Sequence, residues 1–146
     1  MNKIMILEKI YAYGHENILC THKTTIELTK DTYVSVKGNC ILGIKASKSC
    51  INLNSNLKDL IKSGNMKVKV TISVGNITDS FYGFGNKDLT LLNKKDIVFR
   101  LSKYICDRTV LINCTKSSQD LNRKLVNKLK SPITKFYMTF EKLDEE

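Results

Sequence analysis

The sequence is poor in the residues that most often mark a functional site. Among 146 residues there is no tryptophan, one proline and only two histidines, and arginine occurs three times against a background of lysine. No apolar run approaches the ~20 residues of a membrane span, so no membrane association is predicted. The N-terminal residues alternate too early in charge to form a secretory signal. These absences predict a cytoplasmic protein.

Cysteine is present but not in the patterns that bind zinc or form disulfide scaffolds. The five cysteines are odd in number and contain no CxxC pair. Zinc sites usually show closely spaced pairs, and secreted scaffolds usually show an even set. Each cysteine lies in or beside an apolar stretch, where a free thiol behaves as a small hydrophobe. We interpret them as buried, reduced thiols; the sequence predicts no metal and identifies no cofactor.

Composition and charge give only broad limits. The apolar share of 42% and the charged share of 26% are ordinary for a globular protein, and the length predicts one domain over residues 1–146. A net charge of +10 attracts polyanions such as RNA, nucleotides or acidic partners. The lysines do not form one dense block, so they also fit a role in solubility alone. The sequence leaves both interpretations open.

Alternating hydrophobicity predicts mainly β-structure. The clearest strand is 66–74, where apolar residues alternate strictly with lysine, threonine and serine, as in an antiparallel strand with one face in water. Turn residues separate it from other short apolar runs, and no internal repeat is apparent. Further strands are predicted at 4–13, 24–29, 33–36, 40–46, 78–84, 97–101, 109–113 and 133–141.

Two helices are predicted among these strands. Asn54 or Ser55 caps the first, which Gly64 ends, and Ser117 caps the second, with Asp120 as the acid of a capping box. Strands outnumber helices and do not alternate with them in the manner of a doubly wound sheet. The predicted fold is therefore mainly β (or α+β), an antiparallel β-sandwich, jelly-roll-like, with two packed helices.

The arginines supply the first candidate site. Where a chain uses lysine almost everywhere, arginine indicates a position that needs a planar fork of five donors. Arg100 and Arg108 are close in sequence and can hold a phosphate or carboxylate together. Alternatively, Asp107 pairs with one of them as a structural clamp. Lys116 adds a cation just ahead of the second predicted helix, so the candidate ligand-binding residues here are Arg100, Asp107, Arg108 and Lys116.

The histidines supply the second candidate site. His15 and Asn17 follow a predicted strand, where His15 would act as a base or ligand and Asn17 would orient a substrate; the alternative is a simple turn. His22 lies nearby, followed by Thr24, but the histidine spacing is not that of a standard metal site. A near-neutral pKa suits histidine to acid–base chemistry. His15 and His22 are therefore candidate catalytic residues, and Asn17 and Thr24 candidate ligand-binding residues.

Several motifs, in this order, resemble an archaeal family of unknown function, numbered 371. They are Gly14-His15-Glu16-Asn17-Ile18, His22-Lys23-Thr24-Thr25, Gly38-Asn39-Cys40-Ile41, Lys45-Ala46-Ser47, Arg100, Ser102, Asp107-Arg108-Thr109, and Lys116 followed by Asp120-Leu121. The resemblance implies a small stand-alone archaeal protein with a mainly-β, sandwich-like fold, and no established activity. Two departures are Asn39, where the family more often has an acid, and Ser117-Ser118, where alanines are expected.

Three functions follow as hypotheses. The leading one is binding of a phosphorylated or otherwise anionic ligand, a nucleotide or RNA, through the arginine, lysine and histidine residues. The second is a small enzyme in which His15 or His22 acts on an anionic substrate that the arginines hold. The third is a structural or assembly partner without a small-molecule site. The sequence does not predict an oligomeric state.

Overall fold

A computed structural model describes the backbone of residues 2–145 and the side chains of residues 5–142. Two short helices, α1 (Ser55–Lys62) and α2 (Arg123–Lys128), follow the 3-10 helices Cys50–Asn52 and Ser118–Asp120. The remaining regular structure is β. The strands of the described residues are β1 (Asn2–Tyr13), β2 (Thr25–Thr29), β3 (Ile41–Gly43), β4 (Lys67–Val74), β5 (Ile77–Phe84), β6 (Asp96–Arg100), β7 (Thr109–Leu111) and β8 (Lys135–Glu145).

These strands form two four-stranded sheets, which confirms the mainly-β prediction. The first sheet has the order β1-β8-β4-β5 and is antiparallel throughout. The second has the order β3-β2-β6-β7, with an antiparallel central pair. Its outer pairs, β2–β3 and β6–β7, are parallel, because each connecting loop carries the chain back to the end of the sheet at which the preceding strand began.

The two sheets enclose one apolar core. Their edges are joined by single bridges, Tyr13 with Ile44 on one side and Phe84 with Ile112 on the other. Between the sheets, four phenylalanines are almost fully buried, and α1 and α2 add buried leucine, isoleucine and valine side chains. Within residues 2–145, neither helix is long and apolar enough to cross a bilayer.

The predicted cap residue is correct for α1 but not for α2. Asn54 caps α1 by accepting the backbone N–H of Asn56, as predicted. The capping box of Ser117 and Asp120 is present, but it belongs to the 3-10 helix; the chain is then extended at Leu121, so the cap of α2 is Asn122. The strand predicted at 33–36 was wrong: this segment is a loop with a tight turn and has no strand to pair with.

The order strand–strand–strand–3-10 helix–α-helix–strand occurs twice along the chain, so the interpretation that there is no internal repeat was wrong. The first half runs from β1 to β4 and the second from β5 to β8. Within residues 2–145, four residues other than glycine have a positive φ, which is uncommon, and they form two equivalent pairs. These pairs are Cys20 with Leu91, and Lys45 with Asn113, with φ between 49° and 54°.

Equivalent hydrogen bonds support the same duplication. In each half, an acid on the first strand accepts the backbone N–H of the asparagine that caps the helix, and it also pairs with a lysine ammonium. The three residues are Glu8, Asn54 and Lys48 in the first half and Asp79, Asn122 and Lys116 in the second. This acid ties the long strand to the start of the helix in both halves.

The halves also interlock through two equivalent glycines. A Cβ on Gly14 would lie 2.3 Å from the carbonyl oxygen of Leu129, just past α2, and one on Gly85 would lie 2.2 Å from that of Ile61 in α1. The end of the first strand of each half therefore crosses the end of the other half's helix at a distance that only glycine allows.

Candidate functional site

A layer of charged residues lies on β2 and β6, on the face of the second sheet that points away from the core. The alternation of a strand sends Ile26, Leu28, Ile97 and Phe99 into the core and sends Glu27, Asp96 and Arg100 to the opposite face. Both acids are buried, Glu27 with 7% and Asp96 with 4% of its surface exposed. We call this layer, with the loop residues that contact it, the polar face.

Arg108 is the cation that these two acids share. It directly precedes β7, and its Nη1 lies 3.4 Å from Glu27 Oε1 and 3.6 Å from Asp96 Oδ2. The acid that the sequence analysis offered as a clamp has another partner: Asp107 accepts from Asn93 Nδ2, and among residues 5–142 it makes no ion pair with either arginine. An acid–arginine clamp is therefore present, but its acids are Glu27 and Asp96 on the strands and not Asp107.

The carboxylates of the polar face are electrostatically unusual. Burial, and then the neighbouring Asp96, raise the pKa of Glu27, while Arg108 acts in the opposite direction and only partly compensates. Asp96 Oδ1 is buried and has no hydrogen-bond partner among the described residues. Buried polar atoms nearly always have a partner, so this oxygen is an exception that adds to the cost of burying Asp96.

Arg100 and a cysteine occupy the more exposed end of this face. Arg100 Nη2 donates to Cys106 Sγ at 3.2 Å, and Arg100 Nε donates to Thr109 Oγ1 at 2.8 Å. The Thr109 hydroxyl in turn lies 3.7 Å from the same sulfur, and the Arg100 guanidinium stacks over Tyr104 at 4.8 Å. Hydrogen-bond donors thus surround the Cys106 sulfur.

This environment sets Cys106 apart from the other thiols. Partial burial acts to raise its pKa, but hydrogen bonds from the Arg108 backbone, Thr109 and Arg100 prevail and lower the pKa to about 7. Burial raises the pKa of Cys20 to about 11 and that of Cys114 to about 12. All five cysteines are free, but the interpretation of every one as a buried thiol holds for three; Cys40 and Cys106 are partly exposed.

His15 and Asn17 lie in a turn of their own. The His15 Nδ1 accepts the Asn17 backbone N–H at 3.0 Å, and the Asn17 side chain donates to the Val34 carbonyl at 2.9 Å. Asn86, at the equivalent position in the second half, accepts the Asp88 N–H in the same way. The imidazole of His15 therefore does what an asparagine side chain does in the other half.

His22 has a similar local role but lies closer to the polar face. Its Nδ1 accepts the backbone N–H groups of Thr24 and Thr25, at 3.1 and 3.2 Å, as Asn93 does in the second half. The same nitrogen is 3.0 Å from the Thr25 hydroxyl, and Thr25 is the cross-strand partner of Arg100. His22 and Thr24 thus border the polar face.

The other predicted cations lie in the framework of the fold. Lys116 pairs with Asp79 at the start of the α2 region and makes no described contact with Arg100 or Arg108. Arg123, the third arginine, donates to four backbone carbonyls and so fastens the loop before β2 to the segment before α2. Among the described residues, no group of three or more histidine, cysteine or acidic side chains is arranged to hold a metal ion.

Comparison with known proteins identifies the family of this chain. The model of a family described as a domain of unknown function, DUF371, matches residues 10–142, a range that contains the whole polar face. The chain belongs to the DUF371 family. A protein of Methanocaldococcus jannaschii, described as uncharacterized protein MJ0206, is 46% identical over 121 residues, which cover 83% of this chain and 89% of that protein. The resemblance inferred from the motifs is confirmed.

Sequence reasoning missed three members of this site: Glu27 and Asp96 as partners of Arg108, and Cys106 as a partner of Arg100. A signal for the acids was present, because each belongs to a short segment, residues 25–29 and 96–100, that otherwise reads as a buried strand. A charged residue at a period-two position of such a strand needs a partner. Cys106 gave no such signal, because its donors come together only through the loop before β7.

Proposed function

We propose that this DUF371 protein binds a small anionic ligand at the polar face. The ligand is a phosphorylated molecule, such as a nucleotide. The observation that carries the proposal is the convergence of donors from Arg100, Thr109 and the Arg108 backbone on the partly exposed sulfur of Cys106. The thiolate that they stabilise is itself an anion, and guanidinium forks bind phosphate and carboxylate oxygens in the same way.

The polar face also indicates which other groups the ligand carries. Glu27 and Asp96 together offset the single positive charge of Arg108, so Arg100 is the principal donor to an incoming anion. The exposed carboxylate of Asp107, which follows Cys106 in the chain, accepts from a hydroxyl or amino group of the same molecule. A ligand with an anionic group next to hydroxyl groups, such as a nucleotide or sugar phosphate, satisfies both.

Protection of Cys106 from alkylation tests this assignment. We expect one member of a panel of inorganic phosphate, nucleoside monophosphates and sugar phosphates to slow the reaction of Cys106 with iodoacetamide, followed by peptide mass spectrometry. Arg100→Gln should weaken binding of that ligand about 10- to 100-fold, because it removes charge-assisted hydrogen bonds. Lys103→Gln, an equal change of charge at an exposed neighbour, should alter it less than twofold.

The result that would overturn the proposal is equally direct. If no member of the panel changes the alkylation rate of Cys106 or the melting temperature, the polar face is not an anion site. The same conclusion follows if Arg100→Gln, with an unchanged circular dichroism spectrum, binds as well as the original protein. Arg100→Lys keeps the charge but not the fork and should show an intermediate affinity.

Thiol-dependent catalysis on the same ligand is the second candidate function, favoured by the pKa of about 7 for Cys106. The histidine-dependent enzyme remains an alternative; because the Nδ1 atoms of both His15 and His22 hold backbone N–H groups, their Nε2 atoms would have to act. Cys106→Ser should abolish any turnover found with the bound ligand while leaving binding in place. The free thiols also support the proposed cytoplasmic location.

A further inference from the structure

The outer face of the first sheet carries tyrosines interleaved with lysines. On each of its strands, alternate residues such as Ile10, Val70 and Met138 enter the core, and their neighbours point outward. Of the outward residues, three tyrosines and three lysines are in contact as pairs. We call them the tyrosine face; they are Lys9, Tyr11, Lys67, Tyr82, Lys135 and Tyr137.

Each lysine of the tyrosine face lies over an aromatic ring. The Lys9 ammonium is 4.4 Å from the centre of the Tyr137 ring, and the Lys135 ammonium is 4.2 Å from that of Tyr11. Tyr11 and Tyr137 are direct cross-strand partners of β1 and β8. The rings and the charges therefore occupy one continuous patch.

The internal repeat places a second such pair on the same face of this sheet, near its opposite edge. The Lys67 ammonium lies 4.3 Å from the centre of the Tyr82 ring. The repeat relates Lys67 to Lys135 and Tyr82 to Tyr11, so this pair is equivalent to Lys135 over Tyr11. With strands about 4.8 Å apart and residues about 3.3 Å apart along them, Tyr137 and Tyr82 are roughly 16 Å from each other. The face is a diagonal platform with an aromatic group near each end.

The patch is open and carries one sign of charge. Tyr11 is 40% and Tyr137 36% exposed. Among the described outward residues of the four strands, one is acidic, Glu141; it is 8% exposed and hydrogen-bonded to Thr139. Against it stand the three lysines of the face and Lys69, so the local field attracts an anionic chain.

We infer that the tyrosine face binds single-stranded nucleic acid. Unpaired bases stack on aromatic side chains, and lysines beside them contact the phosphates, a combination that sheet surfaces use for this purpose. When a base stacks on Tyr11 or Tyr137, it displaces the ammonium from the ring, and the ammonium is then free to contact the adjoining phosphate. A duplex buries its base faces, and an acidic protein would use the charge without stacking bases on the rings.

Fluorescence anisotropy with a labelled 12-nucleotide single-stranded RNA tests the inference at 50 to 200 mM salt. The double variant Tyr11→Ser/Tyr137→Ser should bind about 5- to 150-fold more weakly for each stacked base lost. Tyr11→Phe/Tyr137→Phe, which keeps the rings, should bind within about threefold of the original. Lys135→Gln should make the slope of log K against log salt shallower by about 0.7, and Lys62→Gln, on α1, should leave it unchanged.

Several outcomes would contradict the inference. They are equal affinity of the serine and phenylalanine variants, equal affinity for a duplex of the same sequence or for heparin, and no binding at 50 mM salt. Because the serine variants could be unstable, a second measurement uses the unaltered protein. RNA containing 4-thiouridine should crosslink on irradiation to peptides of β1, β5 or β8, and crosslinks confined to other segments would overturn the assignment.

This site and the polar face are separable in the same experiments. Arg100→Gln should leave the RNA affinity unchanged, and saturating RNA should leave the alkylation of Cys106 unchanged. If Arg100→Gln abolishes RNA binding while the serine variants do not, the RNA-binding surface is the polar face and the tyrosine face is not a site.

Discussion

The two halves of the chain have the same backbone and different chemistry. The strand order, the left-handed residues, the acid that holds each helix cap and the glycines at the crossings occur in both halves. The polar face is where they differ. Its Asp96, Arg100, Cys106 and Arg108 belong to the second half, where the first half has Thr25, Thr29, Gly38 and Cys40.

This difference separates what the fold requires from what it does not. A residue that recurs with the same contacts in both halves is accounted for by the architecture alone, as His22 is by Asn93. A charged residue that occurs in one half only has no such account. The first half supplies Glu27 to the polar face, where the second half has Val98, so the cluster combines unmatched residues from both copies.

Removing the unmatched arginine should have the largest effect. Arg108→Leu leaves Glu27 and Asp96 buried without a cation, and we expect a loss of about 3 kcal/mol in the free energy of unfolding, at the low end for buried pairs because Arg108 is 41% exposed. Urea denaturation measures it. The triple variant Arg108→Leu/Glu27→Val/Asp96→Thr, which gives each acid the residue of the other half, should regain most of that loss.

The loss should also depend on pH. A raised folded-state pKa means that Glu27 stabilises the fold most below its unfolded pKa and loses this contribution as pH rises through the folded value. Without Arg108, that pKa rises further. The penalty of Arg108→Leu should therefore be smaller at pH 5 than at pH 8, and an equal penalty at both would show that Glu27 does not titrate with the cluster.

The matched acids should have matched, smaller effects. Asp79→Asn and Glu8→Gln each weaken charge-assisted hydrogen bonds to a helix cap and a lysine, and we expect each to cost about 2 kcal/mol in urea denaturation. Costs that differ by more than about 1 kcal/mol would mean that the two positions are not equivalent.

A pH titration adds a check specific to Asp79. Burial acts to raise its pKa, but Lys116 and the backbone N–H groups of Asn122 and Ser80 prevail and lower it. A lowered folded-state pKa places its contribution above the unfolded value of 3.8, and the contribution is lost as pH falls through the folded value. The stability of the Asp79→Asn variant should fall less steeply than that of the original protein below pH 4.

The next effect concerns the thiol that one half alone carries. With a pKa of about 7, Cys106 is about half ionised at pH 7, and without Arg100 its pKa should return toward the ordinary ~8.5. The Arg108 backbone and Thr109 donors remain, so Arg100→Gln should slow its alkylation by iodoacetamide at pH 7 about threefold in the absence of any ligand. Similar rates in the two proteins would show that Arg100 does not hold the thiolate.

The smallest effects should come from making the halves alike at the turns. His15→Asn and His22→Asn give each turn the acceptor that Asn86 and Asn93 already provide, so each should change the free energy of unfolding by less than about 0.5 kcal/mol. His22→Ala, which removes the acceptor, should cost about 1 kcal/mol. A loss of ligand binding in His22→Asn would restore His22 to a functional role.

Much of the fold could be predicted from local patterns. The strict alternation of β4 and the cap at Asn54 both identified their elements, and the motifs around His15 and Arg108 identified the family. The repeat was missed because equivalent positions in the two halves make the same contacts but often carry different amino acids. Cys50 donates to the carbonyls of Asp96 and Arg108, and Ser118 makes the corresponding bonds in the other copy.

The candidate site was less predictable, because long-range pairing assembles it. Arg100 and Arg108 were identified by their rarity, but their partners depend on the parallel pairing of β7 with β6 and on the register of β2. No short pattern places Glu27 next to Arg108. The tyrosine face was missed for the same reason, since Tyr11 and Tyr137 meet only through the pairing of β1 with β8.

That pairing of β1 with β8 has a consequence for how the molecule acquires its structure. The first sheet places the first strand next to the last, and β4, from the middle of the chain, lies on the other side of β8. A growing chain on the ribosome therefore cannot complete this sheet until β8 emerges. Until then, the edge of β1 that pairs with β8 has no strand to bond with. Contacts of such long sequence separation slow folding, so we expect refolding in milliseconds to seconds.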